Sequence, residues 1–289
     1  MSPVTHHRIT VDGVDTFYRA AGPVDAPVLL LPHGYPASSY VYRNLMARLG
    51  RWRTVAPDLP GFGYSATPSV DDFGYTFAAY SEFLQSFVDA IGLDRYVIWL
   101  HDYGSQFGFQ LAIAKPERVA GLIIQNGDIY EDTFGPKYDF LKESWNNPGP
   151  DARRRIAQHV TLHGFETEFR GELPADVADR IGPDLWTLHW SLMSTPERIA
   201  NLIRLLEDQP NTLQWFPAEQ AYLREHRPPA LIVWGPHDGY MPEKSARAYE
   251  RDLPGAPIHL LGGGHWLLET HLDEVLPLVE GFLTRVYGD

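Results

Sequence analysis

The sequence predicts an α/β protein, a mostly parallel sheet flanked by helices with a helical cap inserted after the sixth strand. Three observations predict it. Short apolar runs alternate with helix-length segments from Val28 to Ile124 and again after Ala230. Between them, residues 130–225 carry helical patterns and many aromatics but no convincing strand. Finally, Asp102, Asp238 and His265 each follow an apolar run, with glycines at the turns.

The elements follow in order. Residues 6–11 and 14–21 alternate around Asp12-Gly13, a hairpin signal. The pair His6-His7 is too short for a purification tag and is expected in an edge strand. Val28-Leu29-Leu30-Leu31 reads as a strand covered on both faces, followed by a helix from Ser38 to Leu49. Thr54-Val55-Ala56 is a further strand. Phe77, Tyr80, Phe83, Leu84, Phe87, Val88 and Ile91 have the spacing of one helix face within Thr76 to Ile91. The strand Tyr96 to Leu100, a helix from Gln106 to Lys115 and the strand Val119 to Ile124 complete the first part. After the helical stretch come the strand Ala230 to Trp234, a helix from Glu243, the strand Ile258 to Leu261 and a last helix, His271 to Val286. The expected division is a core of residues 1–129 and 226–289 with a cap of residues 130–225 over the carboxyl ends of the strands, where open α/β sheets bind ligands.

Composition sets the outer limits. The chain has 289 residues, 44% hydrophobic and 21% charged, ordinary for a globular protein. A net charge of −13 disfavours nucleic acid and anionic membranes as partners. With no cysteine, thiolate catalysis, disulfides and cysteine-ligated metals are excluded. Residues 1–13 lack an apolar stretch of signal-peptide length, and no run approaches the ~18 apolar residues of a membrane span. The expectation is a cytoplasmic protein, monomer or homodimer, acting on a small molecule without metal or organic cofactor.

The chemistry is concentrated at Asp102. The apolar run Tyr96-Val97-Ile98-Trp99-Leu100 ends at His101-Asp102-Tyr103-Gly104-Ser105, the strand, sharp turn and helix of a nucleophile elbow. A carboxylate in that place implies an alkyl-enzyme ester, formed by attack on an electrophilic sp³ carbon. Asp238, after Trp234-Gly235, is the expected acid, and Asp128, after the preceding strand, competes for that role. His265, after Gly262-Gly263-Gly264, is the expected base. The amides of Tyr35 and Tyr103 are the expected oxyanion donors, because His33-Gly34-Tyr35-Pro36 ends a strand before a helix.

These motifs carry a resemblance that spans essentially the whole chain. With Asp58-Leu59-Pro60-Gly61-Phe62-Gly63-Tyr64-Ser65, they resemble the α/β-hydrolase branch of epoxide hydrolases, haloalkane dehalogenases and haloacetate dehalogenases. The order nucleophile, acid, histidine is that of the α/β-hydrolase triad. The departures are informative. Haloalkane dehalogenases typically hold halide with Asn and Trp where this chain has Tyr35 and Tyr103. A tyrosine hydroxyl could donate to halide, but the indole is missing. Haloacetate dehalogenases typically follow the aspartate with arginines, and Tyr103-Gly104-Ser105-Gln106 has none, which disfavours a small anionic substrate. Epoxide hydrolases use two cap tyrosines to protonate the alkoxide. Tyr138 stands in the early place, whereas Leu213-Gln214-Trp215-Phe216 puts Phe216 in the late one. Tyr130, Tyr222, His159, His163 and His189 are the substitute donors. An aromatic pocket of His33, Tyr138, Trp145, Trp190, Trp215, Phe216 and Trp266 would suit an apolar or aromatic substrate.

The resemblance implies hydrolysis through a covalent aspartyl ester, with epoxide opening first and dehalogenation second. From another class, a non-catalytic ligand-binding homologue or a lyase using His265 stays open.

Overall fold

The computed structural model describes residues 2–288. Eight strands form one sheet: β1 (Thr5–Val11), β2 (Val14–Ala21), β3 (Val28–Leu30), β4 (Arg53–Pro57), β5 (Tyr96–His101), β6 (Val119–Gln125), β7 (Ala230–Trp234) and β8 (Ile258–Leu260). Their order is β1-β2-β4-β3-β5-β6-β7-β8. The first hairpin and its pairing to β4 are antiparallel, and all other neighbours are parallel. Strands β3, β5 and β7 are buried along their whole length because helices cover both faces, so their sequences read as unbroken apolar runs.

The connecting helices are α1 (Arg43–Arg48), α2 (Phe77–Ala90) and α3 (Tyr103–Ala114). The segment expected as one helix from Ser38 begins instead as a tight 3₁₀ turn, Ser39–Tyr42, before α1. Helix α3 starts directly after Asp102, three residues earlier than its apolar pattern suggests. Between β6 and β7 lies a helical cap: α4 (Tyr138–Asn146), α5 (Pro150–Ala157), α6 (Leu162–Arg170), α7 (Ala175–Ala178), α8 (Asp184–Met193), α9 (Pro196–Asp208) and α10 (Phe216–His226). The chain returns to the sheet and adds α11 (Glu243–Ala248), α12 (Leu267–Thr270) and α13 (Leu272–Tyr287). Among the described residues no helix is long and apolar enough to cross a membrane.

Topology sets the place of the site. The chain steps from β3 to β4 in one direction and then crosses back over β3 to β5. The loops leaving β3 and β5 therefore diverge at the carboxyl edge and open a crevice between them. Asp102 tips one of these strands and His33-Gly34-Tyr35 follows the other.

Cap and core are joined by polar as well as apolar contacts. His189 of α8 is fully buried; its Nδ1–H donates to the Leu185 carbonyl at 2.7 Å, and Nε2 accepts from Ser38 Oγ of the core at 3.1 Å. Its ring stacks on Phe169. Arg198 of α9 donates to the carbonyls of Gly63 and Ser65, which anchors the cap on the loop after β4.

Burial lowers the pKa of His189 and of His101 to about 3, and lowers that of His33 as well. The folded state keeps these rings neutral where the unfolded chain binds protons below about 6.5. For His189 and His101 this contribution is therefore full above that pH and is lost as pH falls from 6.5 towards 3. Each should remove about 1.4 kcal/mol of stability per pH unit in that window. Urea unfolding of wild type and His189→Asn between pH 6.5 and 4.5 tests this. The variant should show a shallower pH slope by about that amount, and parallel profiles would contradict it.

Candidate active site

Asp102 sits at a backbone position that few side chains adopt, with φ +50° and ψ −137°. Such a conformation costs about 1–3 kcal/mol and persists where the surroundings over-determine it. Here they do. The Asp102 amide donates to the Asn126 carbonyl at 3.1 Å, and the Asp102 carbonyl accepts from the Ser105 amide and the Ser105 hydroxyl. Two glycines let the chains approach. A Cβ on Gly104 would lie 2.3 Å from the Pro32 carbonyl oxygen, and one on Gly34 would lie 2.0 Å from Asp102 Oδ1.

The carboxylate is buried and its two oxygens have different partners. Oδ1 accepts from the Tyr35 amide at 2.6 Å, and Oδ2 lies 3.1 Å from His265 Nε2. Burial alone would push the Asp102 pKa up. The hydrogen bond and charge of His265, with the Tyr103 amide, hold it below the usual value instead. Tyr35 and Tyr103 therefore both direct amides at this carboxylate.

His265 Nδ1–H donates to Asp238 Oδ2 at 2.8 Å. Burial works against a charged imidazole, yet the carboxylates of Asp238 and Asp102 raise its pKa to about 10. Asp238 is opposed by burial and lowered to about 2 by His265, the Met241 amide and Asn126. Its Oδ2 also accepts from Asn126 Nδ2 at 2.8 Å, and its Oδ1 from the amides of Tyr240 and Met241. Asp238, not Asp128, is thus the partner of His265.

Several positioning residues were not singled out from sequence. Asn126 spans the ends of β5, β6 and β7: besides the bonds to Asp102 and Asp238, its Oδ1 accepts from the Gly235 amide at 2.9 Å. The His265 carbonyl accepts from His101 Nε2 and Gln125 Nε2, at 2.9 and 3.0 Å. The signal was present. His101, Gln125 and Asn126 are polar residues closing fully apolar strands, and a buried polar side chain needs a partner.

A vestibule of about 490 Å³ between cap helices is lined in part by Lys137, Phe140, His159, His163 and Thr167. It shares Tyr35, Leu141, Glu168, Leu206 and Tyr240 with a tight chamber of about 20 Å³ that reaches Asp102 and His265. Lys137 pairs with Glu168 at 3.1 Å, and the Tyr240 hydroxyl donates to the same carboxylate. A second chamber of about 10 Å³ continues past Asp102 to Gln106, Asp128, Trp145 and Phe216. Chambers this small hold about one water each, so a substrate enters only with movement of lining side chains.

Of the expected pocket residues, Tyr138, Trp145 and Phe216 line these chambers. Four do not. His33 is fully buried beneath, with Nε2 accepting from the Leu59 amide. Trp266 packs on His265 and Phe169 and donates to the Glu168 carbonyl, so it supports the site from behind. Trp190 lies against Phe165 in the cap, and Trp215 opens α10 with its ring only partly buried. Their aromatic character serves packing, which the sequence pattern cannot distinguish from ligand contact.

The proton donors also separate. Tyr138 lines both chambers, and among the described residues its hydroxyl has no hydrogen-bond partner. Burial, reinforced by nearby carboxylates, pushes its pKa well up, so it stays protonated. The Tyr130 hydroxyl is committed to Asp252, Tyr222 packs on His226, and His189 is bonded to Ser38. His159 and His163 line only the vestibule. The Tyr103 hydroxyl, a conceivable halide donor, gives its proton to Gln209 Oε1 at 2.7 Å.

Comparison with known proteins agrees with this fold. Residues 27–272 match the model of the alpha/beta hydrolase fold family. The chain is 32% identical over 272 residues to an uncharacterized hydrolase of Saccharomyces cerevisiae, covering 92% of each. It is 27% identical to a haloalkane dehalogenase of Mesorhizobium japonicum, covering 93% of this chain and 88% of that one. Among solved structures, haloalkane dehalogenase DbeA from Bradyrhizobium elkani superposes with a TM-score of 0.82 at 23% identity, over 98% of this chain and 99% of that one. Epoxide hydrolase CorEH gives 0.79 at 20% identity, over 98% and 100%. At these identities the structural likeness shows the fold. The chain belongs to the α/β-hydrolase family.

The close approach at Gly34 yields a test. Gly34→Ala should displace the Asp102 carboxylate and lower turnover at least ~10²-fold on any epoxide or halide the wild type accepts, since such misplacement of a reacting group is that costly. Steady-state rates with circular dichroism as a folding control check this, and near-wild-type turnover would contradict it.

Proposed function

We propose that this hydrolase works through a covalent ester at Asp102, opening epoxides on apolar or aromatic substrates. The observation that carries the reading is the division of labour at one carboxylate: Oδ1 on the Tyr35 amide, Oδ2 beside His265 Nε2. Oδ2, beside His265 Nε2, attacks the epoxide carbon. The carbon–oxygen bond of the ring breaks, and the departing oxygen takes a proton from the Tyr138 hydroxyl. Alkoxide is a poor leaving group, and such an acid contributes about 10²–10⁴-fold.

Esterification removes the negative charge of Asp102, one of the groups that raise the His265 pKa. The imidazolium then loses its proton more easily; that proton returns to the Tyr138 phenolate, and the neutral ring becomes a base, oriented by Asp238. It takes a proton from water, which attacks Cγ of Asp102. The negative charge collects on Oδ1, where the Tyr35 and Tyr103 amides receive it. Collapse of that intermediate breaks the ester bond, the leaving oxygen takes the proton held by His265 to give the diol, and the regenerated carboxyl returns its proton to His265.

Dehalogenation is the second reading. It is favoured by the names of relatives such as the Mesorhizobium protein. It is weakened by the commitment of the Tyr103 hydroxyl to Gln209.

His265→Gln separates the two half-reactions. Incubated with aryl and alkyl epoxides and halides, it should accumulate a covalent adduct at Asp102, read by intact-protein mass and peptide mapping. An adduct that keeps the epoxide oxygen supports epoxide opening, and one from which halide has left supports dehalogenation. If a folded variant binds these compounds yet gives no adduct, the aspartyl-ester mechanism is wrong and a lyase or binding role takes its place.

A further inference from the structure

Three buried polar atoms around the inner chamber have no hydrogen-bond partner: Asp128 Oδ2, Gln106 Oε1 and Trp145 Nε1. They come from three elements, the loop after β6, α3 and α4, yet all three residues line the one small space past Asp102. Leaving such atoms unpaired in an apolar surrounding costs about 1–3 kcal/mol each. The Gln106 amide is oriented: its Nε2 donates to the Asp128 carbonyl at 3.0 Å, which leaves the oxygen for the chamber. Burial, then the charges of Asp238 and Asp102, hold the Asp128 carboxyl well above the usual range, so it carries a proton. Asp128 is not used by His265, and the rest of the lining mixes apolar side chains, Phe77, Phe134, Leu213 and Phe216, with polar ones that include Asp102, Tyr138 and Thr212.

We propose that Asp128, Gln106 and Trp145 form a polar subsite at the inner end of the chamber that binds a hydroxyl group of the substrate. The donor–acceptor set fits that group. The indole N–H and the protonated carboxyl can donate to its oxygen, and Gln106 Oε1 accepts its proton. The space, about 10 Å³, suits a single oxygen. The substrate class is then an epoxide or halide that carries a hydroxyl on an apolar or aromatic body. The proposal rests on the aspartyl-ester reading only for which end of the ligand reacts.

Binding of unreactive ligands tests it without depending on catalysis. Benzyl alcohol and ethylbenzene differ as a hydroxyl against a methyl on the same frame. Calorimetry on the wild-type protein should show benzyl alcohol binding at least ~10-fold more tightly, because ethylbenzene leaves the three atoms unpaired. Asp128→Leu and Trp145→Phe, each checked for folding, should reduce the preference to below ~3-fold, by loss of one donor. Equal binding in the wild type, or no binding of the alcohol, overturns the proposal and leaves the three atoms to a buried water. Bromide that competes with the alcohol and loses affinity in Trp145→Phe overturns it in favour of a halide cradle. A preference without any Asp102 adduct in His265→Gln would keep the subsite and sink the ester mechanism; an adduct without a preference would do the reverse.

Discussion

The structure depends on keeping one carboxylate charged inside a buried site. Burial of Asp102 disfavours its anion, and an uncompensated buried charge would take up a proton instead. The compensation is local and directional. An amide from the loop after β3, an amide from the start of α3 and the imidazole of His265 converge on its two oxygens. Each donor depends on a different part of the fold. The β3 loop reaches Asp102 only because the strand order reverses there and because residue 34 has no side chain. The α3 amide faces inward because the chain turns through a left-handed conformation at Asp102 itself. The imidazole arrives from beyond β8, held through its carbonyl by His101 and Gln125 and through Nδ1 by Asp238.

In the mechanism proposed, the same arrangement lets one histidine serve two states of the enzyme. Flanked by two carboxylates, His265 is an imidazolium in the resting site. In that form it helps keep Asp102 ionised but cannot activate water. Alkylation of Asp102 cancels one flanking charge and lowers the cost of losing the proton. Base catalysis thus becomes available when there is an ester to hydrolyse. Asn126 links the two carboxylate sites, since it accepts the Asp102 amide through its carbonyl and donates to Asp238 through its side chain.

Much of this was legible in the sequence. The β3, β5 and β7 runs are apolar because they are covered on both faces, and Asp102, Asp238 and His265 announce themselves by ending such runs at glycine-rich turns. The amides of Tyr35 and Tyr103 could be expected from the same turns, because backbone donors follow from where a strand meets a helix. The cap was harder. Tyr138, Trp145 and Phe216 face the chamber while Trp190 and Trp215 do not, and Trp266 supports His265 from outside it. A helix pattern shows that an aromatic is buried; it does not show whether it is buried against a neighbour or against a ligand. Asp128 shows the same limit: beside Asp238 in sequence logic, it differs in role because only Asp238 meets His265.

The measurement that bears most directly on the account is a single turnover with enzyme in excess over an epoxide or halide, run in ¹⁸O-labelled water. Water attack on the carboxyl carbon sends the labelled oxygen into Asp102, and the first product takes its new oxygen from the unlabelled side chain. Mass analysis of the peptide containing Asp102 should therefore show the label in the enzyme and an unlabelled product. Label in the product of that first turnover, with an unlabelled Asp102, would mean that water attacks the substrate directly, and would contradict catalysis through an aspartyl ester.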